Sequence, residues 1–128
     1  MLEKLFPPTK KEEPILVPIT DENFEAEVLG SALPIMVDFS SEGCGPCRMA
    51  KPVVEQLAEE YKGRLKVGAY DIAIGLERAR ELGVDRIPLF VMFNNKQEVR
   101  RWSGFRPIEK MREEVRLGLL PPQEKPQV

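Results

Sequence analysis

The sequence contains no histidine, only two cysteines and no long apolar run. Without histidine, one chain cannot supply the four cysteine or histidine ligands that a structural zinc site usually has, so we predict no metal. A zinc site shared between two chains remains the alternative use of the cysteines. Because no segment approaches the length of a membrane span, and the opening stretch is charged and lacks a signal-peptide core, we expect a cytoplasmic protein without a membrane partner.

An excess of charge of one sign is also missing. The formal net charge is -2, and the arginines of the C-terminal third are interleaved with glutamates. This pattern offers no electrostatic footprint for nucleic acid, which we exclude as a partner. With 128 residues, 42% of them hydrophobic and 31% charged, the chain suits a single globular domain.

What the sequence does contain is a tetrapeptide, Cys44-Gly45-Pro46-Cys47, that holds both cysteines. Two thiols at this spacing at the beginning of a helix can close into a disulfide with little backbone movement. A reducing compartment would keep a passive disulfide open, so these cysteines are expected to react. The motif therefore predicts a reversible dithiol and disulfide pair, and this chemistry needs no organic cofactor.

The order of the two cysteines predicts different roles for them. Cys44 precedes the helix, where unpaired N–H groups and the positive end of the helix dipole stabilise a thiolate, so it is the predicted nucleophile. Cys47, one turn further in, is the predicted resolving thiol. Gly45 is expected to give the turn conformational freedom. Pro46 is expected to fix the first helical turn, where its missing N–H removes no helix hydrogen bond.

Hydrophobic patterns predict alternating strands and helices along the chain. Thr20 is expected to cap the first helix, with Asp21 in its first turn, and Pro18 suggests that the first strand lies at a sheet edge. Strands are predicted within 15–19, 35–39, 65–70, 89–93 and 98–103, and helices within 20–30, 48–61, 75–82 and 107–118. This order predicts an α/β fold with a central mixed β-sheet flanked by helices on both faces. We expect the domain to span 15–118, between an N-terminal arm (1–14) and a proline-rich C-terminal tail (119–128).

Several separated features together resemble the thioredoxin family from about Ile15 to Leu117. Val37-Asp38-Phe39 is followed five residues later by the cysteine motif, as in the central strand and active-site turn of that family. Other residues fall at the family's helix kink, third-strand acid, cis-proline and groove glycine: Pro52, Asp71, Ile87-Pro88 and Gly104. The resemblance implies the thioredoxin fold and a thiol–disulfide oxidoreductase that reduces protein disulfides. It also implies two kinds of partner, a disulfide-containing target protein and a thioredoxin-reductase-like or small-thiol electron donor.

Asp38 and Pro88 each have two interpretations from the residues alone. Asp38 is either a buried acid with a raised pKa or an aspartate facing solvent at a strand end, and a lone Ile-Pro bond is expected to be trans. The resemblance favours the buried acid, acting beside Cys47, and a cis bond. It implies that the Ile87 backbone lies beside Cys44 for strand addition, with Gly43, Pro88 and Gly104 completing the substrate-binding residues.

The chain departs from the family at four positions. Ser40 and Gly43 stand where tryptophans are common, Ala69 where many members have a lysine, and Leu89 where threonine is usual. These changes bear on the choice of partner and on the redox potential, and they leave the residues of the dithiol reaction intact. An oxidase or isomerase, or a non-catalytic docking module, are the alternative functions.

Overall fold

A five-stranded mixed sheet forms the centre of the computed structural model, which describes residues 15–121. Its strands are β1 (Val17–Ile19), β2 (Ile35–Ser40), β3 (Lys66–Asp71), β4 (Leu89–Asn94) and β5 (Gln97–Ser103). The strand order is β1-β3-β2-β4-β5, with β3 parallel to β1 and β2, and β4 antiparallel to β2 and β5. The predicted mixed sheet is confirmed. The predicted arm (1–14) and most of the predicted tail (122–128) lie outside the described residues.

Helices cover both faces of this sheet, as predicted. They are α1 (Glu25–Leu29), α2 (Gly45–Glu60), α3 (Glu77–Glu81) and α4 (Ile108–Leu119). Side chains of α2 and α4 pack with Met36, Phe90 and Met92 on one face, and side chains at α1 and α3 pack with Val37 and Phe39 on the other. Since successive side chains of a strand point to opposite faces, β2 contributes to both cores.

The central strand β2 is buried on both faces because helices cover both. Every residue from Ile35 to Phe39 is buried, as expected for a central strand. Asp38 lies two residues after Met36 and therefore on the face that α2 and α4 cover. β2 ends at Ser40, and α2 begins only five residues later at Gly45. This short connection places the cysteine motif at the end of the central strand.

The first helix begins later than the sequence predicts and is of a different type. Thr20 does accept the backbone N–H of Asn23, at 3.1 Å, but it caps a turn that precedes the helix. The helix itself has π-helical hydrogen bonding, and the N–H of Gly30 bonds to the carbonyl of Glu25 at 2.7 Å. The spacing of Phe24 and Val28, both buried, suits the α-helix and the wider π-helix alike, so the pattern could not distinguish them.

Asp21 caps a distant helix rather than its own. Its carboxylate accepts the backbone N–H groups of Glu77 at 3.3 Å and Arg78 at 3.0 Å, at the beginning of α3, and the hydroxyl of Tyr70. These hydrogen bonds, the one from Tyr70 first, lower the pKa of Asp21, while burial and Asp21 raise the pKa of Tyr70 to about 12. The contacts join the β1–α1 connection to β3 and α3.

The outer edge of β1 is closed at Pro18, in the sense that it offers no free backbone hydrogen-bonding group there. Pro18 is exposed and has no N–H, and its carbonyl accepts the side-chain amide of Asn23 at 2.9 Å. β1 is an edge strand of the sheet, which confirms the position that the proline predicted.

The predicted hairpin joins β4 to β5 through a two-residue turn. Asn95 and Lys96 both have positive φ, 51° and 68°. Positive φ at both central residues is the requirement of a type I′ turn, and asparagine tolerates that conformation best among residues with a side chain.

Candidate active site

Cys44 and Cys47 are joined by a disulfide at the beginning of α2, with their Cα atoms 5.2 Å apart. Cys44 is the N-cap residue, and its Sγ accepts the backbone N–H of Cys47 at 3.2 Å. Pro46 lies in the first turn, where the missing N–H costs no helix hydrogen bond. The sequence prediction that these cysteines form one redox pair agrees with this geometry.

The two sulfurs differ in exposure. The side chain of Cys47 is buried, with a relative accessibility of 5%, whereas Cys44 is partly exposed. An attacking thiol must reach its target, so the difference favours Cys44 as the residue that meets another protein. Gly45 is the first helical residue, and an added Cβ would meet no atom within 4 Å, so nothing in the structure explains glycine there.

The Ile87-Pro88 peptide bond is cis and lies beside Cys44. The carbonyl oxygen of Ile87 is 4.0 Å from Cys44 Sγ. Within residues 15–121, no protein group accepts a hydrogen bond from the N–H of Ile87. Gly104 donates its N–H to the carbonyl of Pro88 at 2.8 Å and has a φ of +88°, which favours glycine. The structure thus brings three predicted substrate-binding residues to one place.

Gly43 precedes Cys44 in an exposed turn. A Cβ added to it would meet no atom within 4 Å, so a larger side chain would project into solvent. An exposed aromatic ring follows Gly104 directly: Phe105 has a relative accessibility of 39%. Sequence analysis did not single out Phe105.

Asp38 is the buried acid that the sequence left undecided. Its relative accessibility is 4%, and Oδ1 has no hydrogen-bond partner among the described residues. Its register partners are Ala69 on β3 and Phe90 on β4, neither of which can pair with a carboxylate. Burial therefore raises the pKa of Asp38 to about 7, and the charge of Lys51 opposes part of that rise.

Asp38 lines a cavity of about 560 Å³ that charged side chains also line. Asp38 and Cys47 both line it, together with Arg48 and Lys51 of α2 and Ala69 of β3. Sequence analysis missed Lys51. The available signal was its position four residues after Cys47, which places both on one side of the helix.

A cysteine pair that closes at the beginning of a helix, directly after the central strand of a mixed sheet, defines a thiol–disulfide oxidoreductase. Comparison with known proteins agrees, because the thioredoxin family model matches residues 15–116. The chain belongs to the thioredoxin family. As a thioredoxin-family member with an intact cysteine pair, it is a protein disulfide reductase.

Individual relatives show the same family. The chain is 40% identical to thioredoxin 1 of Nostoc sp. (strain PCC 7120 / SAG 25.82 / UTEX 2576) over 63% of this chain and 76% of the relative. It is 35% identical to thioredoxin C-2 of Corynebacterium nephridii over 75% of this chain and 89% of the relative. It is also 40% identical to a bifunctional thioredoxin reductase/thioredoxin of Mycobacterium leprae, over 70% of this chain but only 20% of that longer protein.

Two features are absent from the described residues. None of the helices within 15–121 is both long and apolar enough to cross a membrane. In the same part of the chain, no group of three or more cysteine, aspartate or glutamate side chains is arranged to hold a metal ion.

Proposed function

We propose that this protein reduces disulfides of target proteins with Cys44 as the attacking thiol and Cys47 as the resolving thiol. The observation that carries the proposal is the asymmetry of the pair: Cys44 is partly exposed at the helix N-terminus, and Cys47 is buried behind it. The N–H of Cys47, which bonds to Cys44 Sγ in the disulfide, also suits a Cys44 thiolate.

The reaction has two exchange steps. The Cys44 thiolate attacks one sulfur of the target disulfide, a Cys44–target bond forms, and the other target sulfur leaves as a thiolate that takes a proton. Cys47 then loses its proton and attacks Cys44 Sγ, which forms the Cys44–Cys47 bond and releases the second target thiolate. The target gains two electrons and the protein loses two.

Asp38 is the group that suits the Cys47 proton. It lines the same cavity as Cys47, its Oδ1 is free of partners among the described residues, and its pKa of about 7 lets it exchange a proton near neutral pH. We infer that the Asp38 carboxylate accepts the proton of Cys47 in the second step and returns it to solvent afterwards.

The target chain is proposed to bind in extended form at Ile87. The free N–H of Ile87 and its carbonyl beside Cys44 suit strand addition, in which backbone hydrogen bonds hold the partner. Pro88 and Gly104 hold this segment in place through their hydrogen bond, and Gly43, which precedes Cys44, places no side chain beside it.

The electron donor is proposed to be a thioredoxin reductase or a small thiol, since the oxidised pair must be reduced for turnover. The Mycobacterium leprae relative is named as both a thioredoxin reductase and a thioredoxin, which supports a reductase as the donor. Gly43 supplies no aromatic contact surface, which supports the small thiol. A reducing compartment such as the cytoplasm suits electron transport in this direction.

An oxidase or isomerase with the same residues would differ in redox potential, so two measurements together test the proposal. The first is equilibration of the Cys44–Cys47 pair with thiol buffers of known potential. A value near that of disulfide reductases, roughly -270 mV, is expected, whereas roughly -120 mV would indicate an oxidase.

The second measurement is turnover of a protein disulfide with a dithiol donor. Catalytic turnover that disappears in Cys44→Ser is expected. A protein that binds targets without turnover would instead be a docking module, against which the intact Cys44, Cys47, Asp38 and Pro88 argue.

A further inference from the structure

Lys51 has no role in the two-step reaction described above, although it lies in the same cavity as two of the residues that carry it out. It lies on α2, one helical turn after Cys47, and lines the cavity that contains Asp38 and Cys47. Its side chain is exposed, and no described residue pairs with it in a salt bridge. An unpaired ammonium group beside a buried carboxyl has a clear electrostatic effect: it stabilises the carboxylate.

The neighbouring strand does not provide such a charge. The β3 residue opposite Asp38 is Ala69, whose methyl group cannot stabilise an anion. β4 contributes Phe90, which stacks on Trp102 of β5, and both are uncharged. Asp38 is therefore surrounded by apolar side chains on the sheet, and any positive charge must come from elsewhere.

The titratable groups that line the cavity around Asp38 come from α2, the β2–α2 turn and β3. α2 contributes Arg48 and Lys51, the β2–α2 turn contributes Glu42, and β3 contributes Asp71 and the phenol of Tyr70. The carboxyl groups of Glu42 and Asp71 cannot stabilise negative charge on Asp38. Of these two cations, Lys51 is the one whose charge lowers the pKa of Asp38.

We propose that Lys51 is a positioning residue for the resolving step: its ammonium group, presented from α2, favours the ionised form of Asp38, which takes the proton of Cys47. This inference rests on the proposed function. It assigns to the helix the positive charge that many family members carry on the third strand, where this chain has Ala69. Lys51 acts only through Asp38 and does not touch the reacting sulfurs.

The test is the pH dependence of single-turnover reduction of a protein disulfide by Lys51→Met, Lys51→Arg and the unchanged protein. The rate should rise with pH as Asp38 ionises, and loss of the Lys51 charge should raise the pKa of Asp38 further. The rising part of the pH–rate profile at acidic pH, the acid limb, should therefore move to higher pH by about half a unit in Lys51→Met. The rate at alkaline pH should be unchanged. Lys51→Arg keeps the charge and should keep the limb in place.

Two controls separate this effect from a general loss of charge. Lys62→Met removes an exposed lysine beyond the other end of α2 and should leave the limb unmoved. Ala69→Lys in the Lys51→Met protein places a cation on β3 opposite Asp38 and should move the limb back. High salt should shift the unchanged protein toward the Lys51→Met profile and leave Lys51→Met itself nearly unaffected, because an exposed charge is screened.

An acid limb that is the same in Lys51→Met and the unchanged protein would overturn the role of Lys51, and the disulfide reductase activity would stand. Equal slowing at every pH would also overturn it, because that result indicates a structural role. Absence of turnover in the unchanged protein would instead overturn the proposed function. The two failures are thus distinguishable.

Discussion

The backbone N–H of Cys47 points at the sulfur of Cys44, 3.2 Å away, a hydrogen bond that would favour a thiolate on Cys44 once the disulfide is reduced. Cys44→Ser should therefore abolish disulfide reduction. Cys47→Ser should still attack and then accumulate mixed disulfides, because the resolving thiol is missing. Mass spectrometry after exposure to a disulfide substrate measures these adducts. Adducts that form through Cys47 in Cys44→Ser, and not through Cys44 in Cys47→Ser, would reverse the assignment.

Asp38→Asn should stabilise the oxidised protein at alkaline pH. The folded pKa of about 7 lies above the unfolded value of 3.8, so the folded state holds its proton more tightly. The contribution of Asp38 to the free energy of unfolding is therefore fully present below pH ~3.8. It falls as the unfolded chain ionises, and it is lost once the pH exceeds the folded pKa. The advantage of Asp38→Asn over the unchanged protein should grow by about 2–4 kcal/mol from acidic to alkaline pH.

Urea denaturation of both oxidised proteins at several pH values measures this difference. Using one redox state keeps the disulfide contribution constant. A difference that does not change with pH would remove the argument for a buried acid. Asp38→Asn should also slow the second exchange step, since asparagine cannot accept the Cys47 proton.

Gly43→Trp should raise turnover by a thioredoxin reductase more than turnover by a small dithiol. The turn has room for the ring, because a Cβ at Gly43 meets no atom within 4 Å. A protein donor gains aromatic contact area beside Cys44, whereas a small dithiol needs only access to the sulfur. The unchanged protein should accordingly work better with the dithiol than with the reductase.

Paired steady-state assays with the two donors compare the unchanged protein, Gly43→Trp and a control, Glu59→Trp, which adds an exposed ring near the far end of α2. The control should behave like the unchanged protein. If the unchanged protein already works equally well with both donors, the absence of a ring at Gly43 does not determine specificity.

Glu114→Gln should destabilise the fold without changing activity. Glu114 is buried and pairs with two guanidinium groups, Arg100 at 2.5 Å and Arg106. Removing its charge leaves both cations without their partner, at a cost of about 1–3 kcal/mol because the arginines are partly exposed. The exposed neighbour provides the control: Glu113→Gln should cost under about 0.5 kcal/mol in the same thermal or urea unfolding experiment. Equal effects of the two substitutions would contradict the buried ion pair.

The sequence predicted what depends on local patterns and missed what depends on distant partners. Buried runs such as Ile35–Phe39 are predicted as strands because they are short, mainly apolar and bounded by turn signals. The function of Asp21 was inaccessible, since the N–H groups that it caps belong to α3, more than fifty residues along the chain. The burial of Asp38 was undecided for the same reason: its surroundings come from α2, β3 and β4 together.

The closed outer edge of β1 has a consequence for aggregation. In a strand, the N–H and carbonyl of one residue point the same way, and at Pro18 the first is absent and the second is occupied by Asn23. The opposite edge, β5, carries charged side chains such as Glu98 and Arg101, which disfavour pairing with a second sheet. A sheet protected on both sides should not template the extended, newly reduced chains that a disulfide reductase releases beside it, even when such chains are abundant.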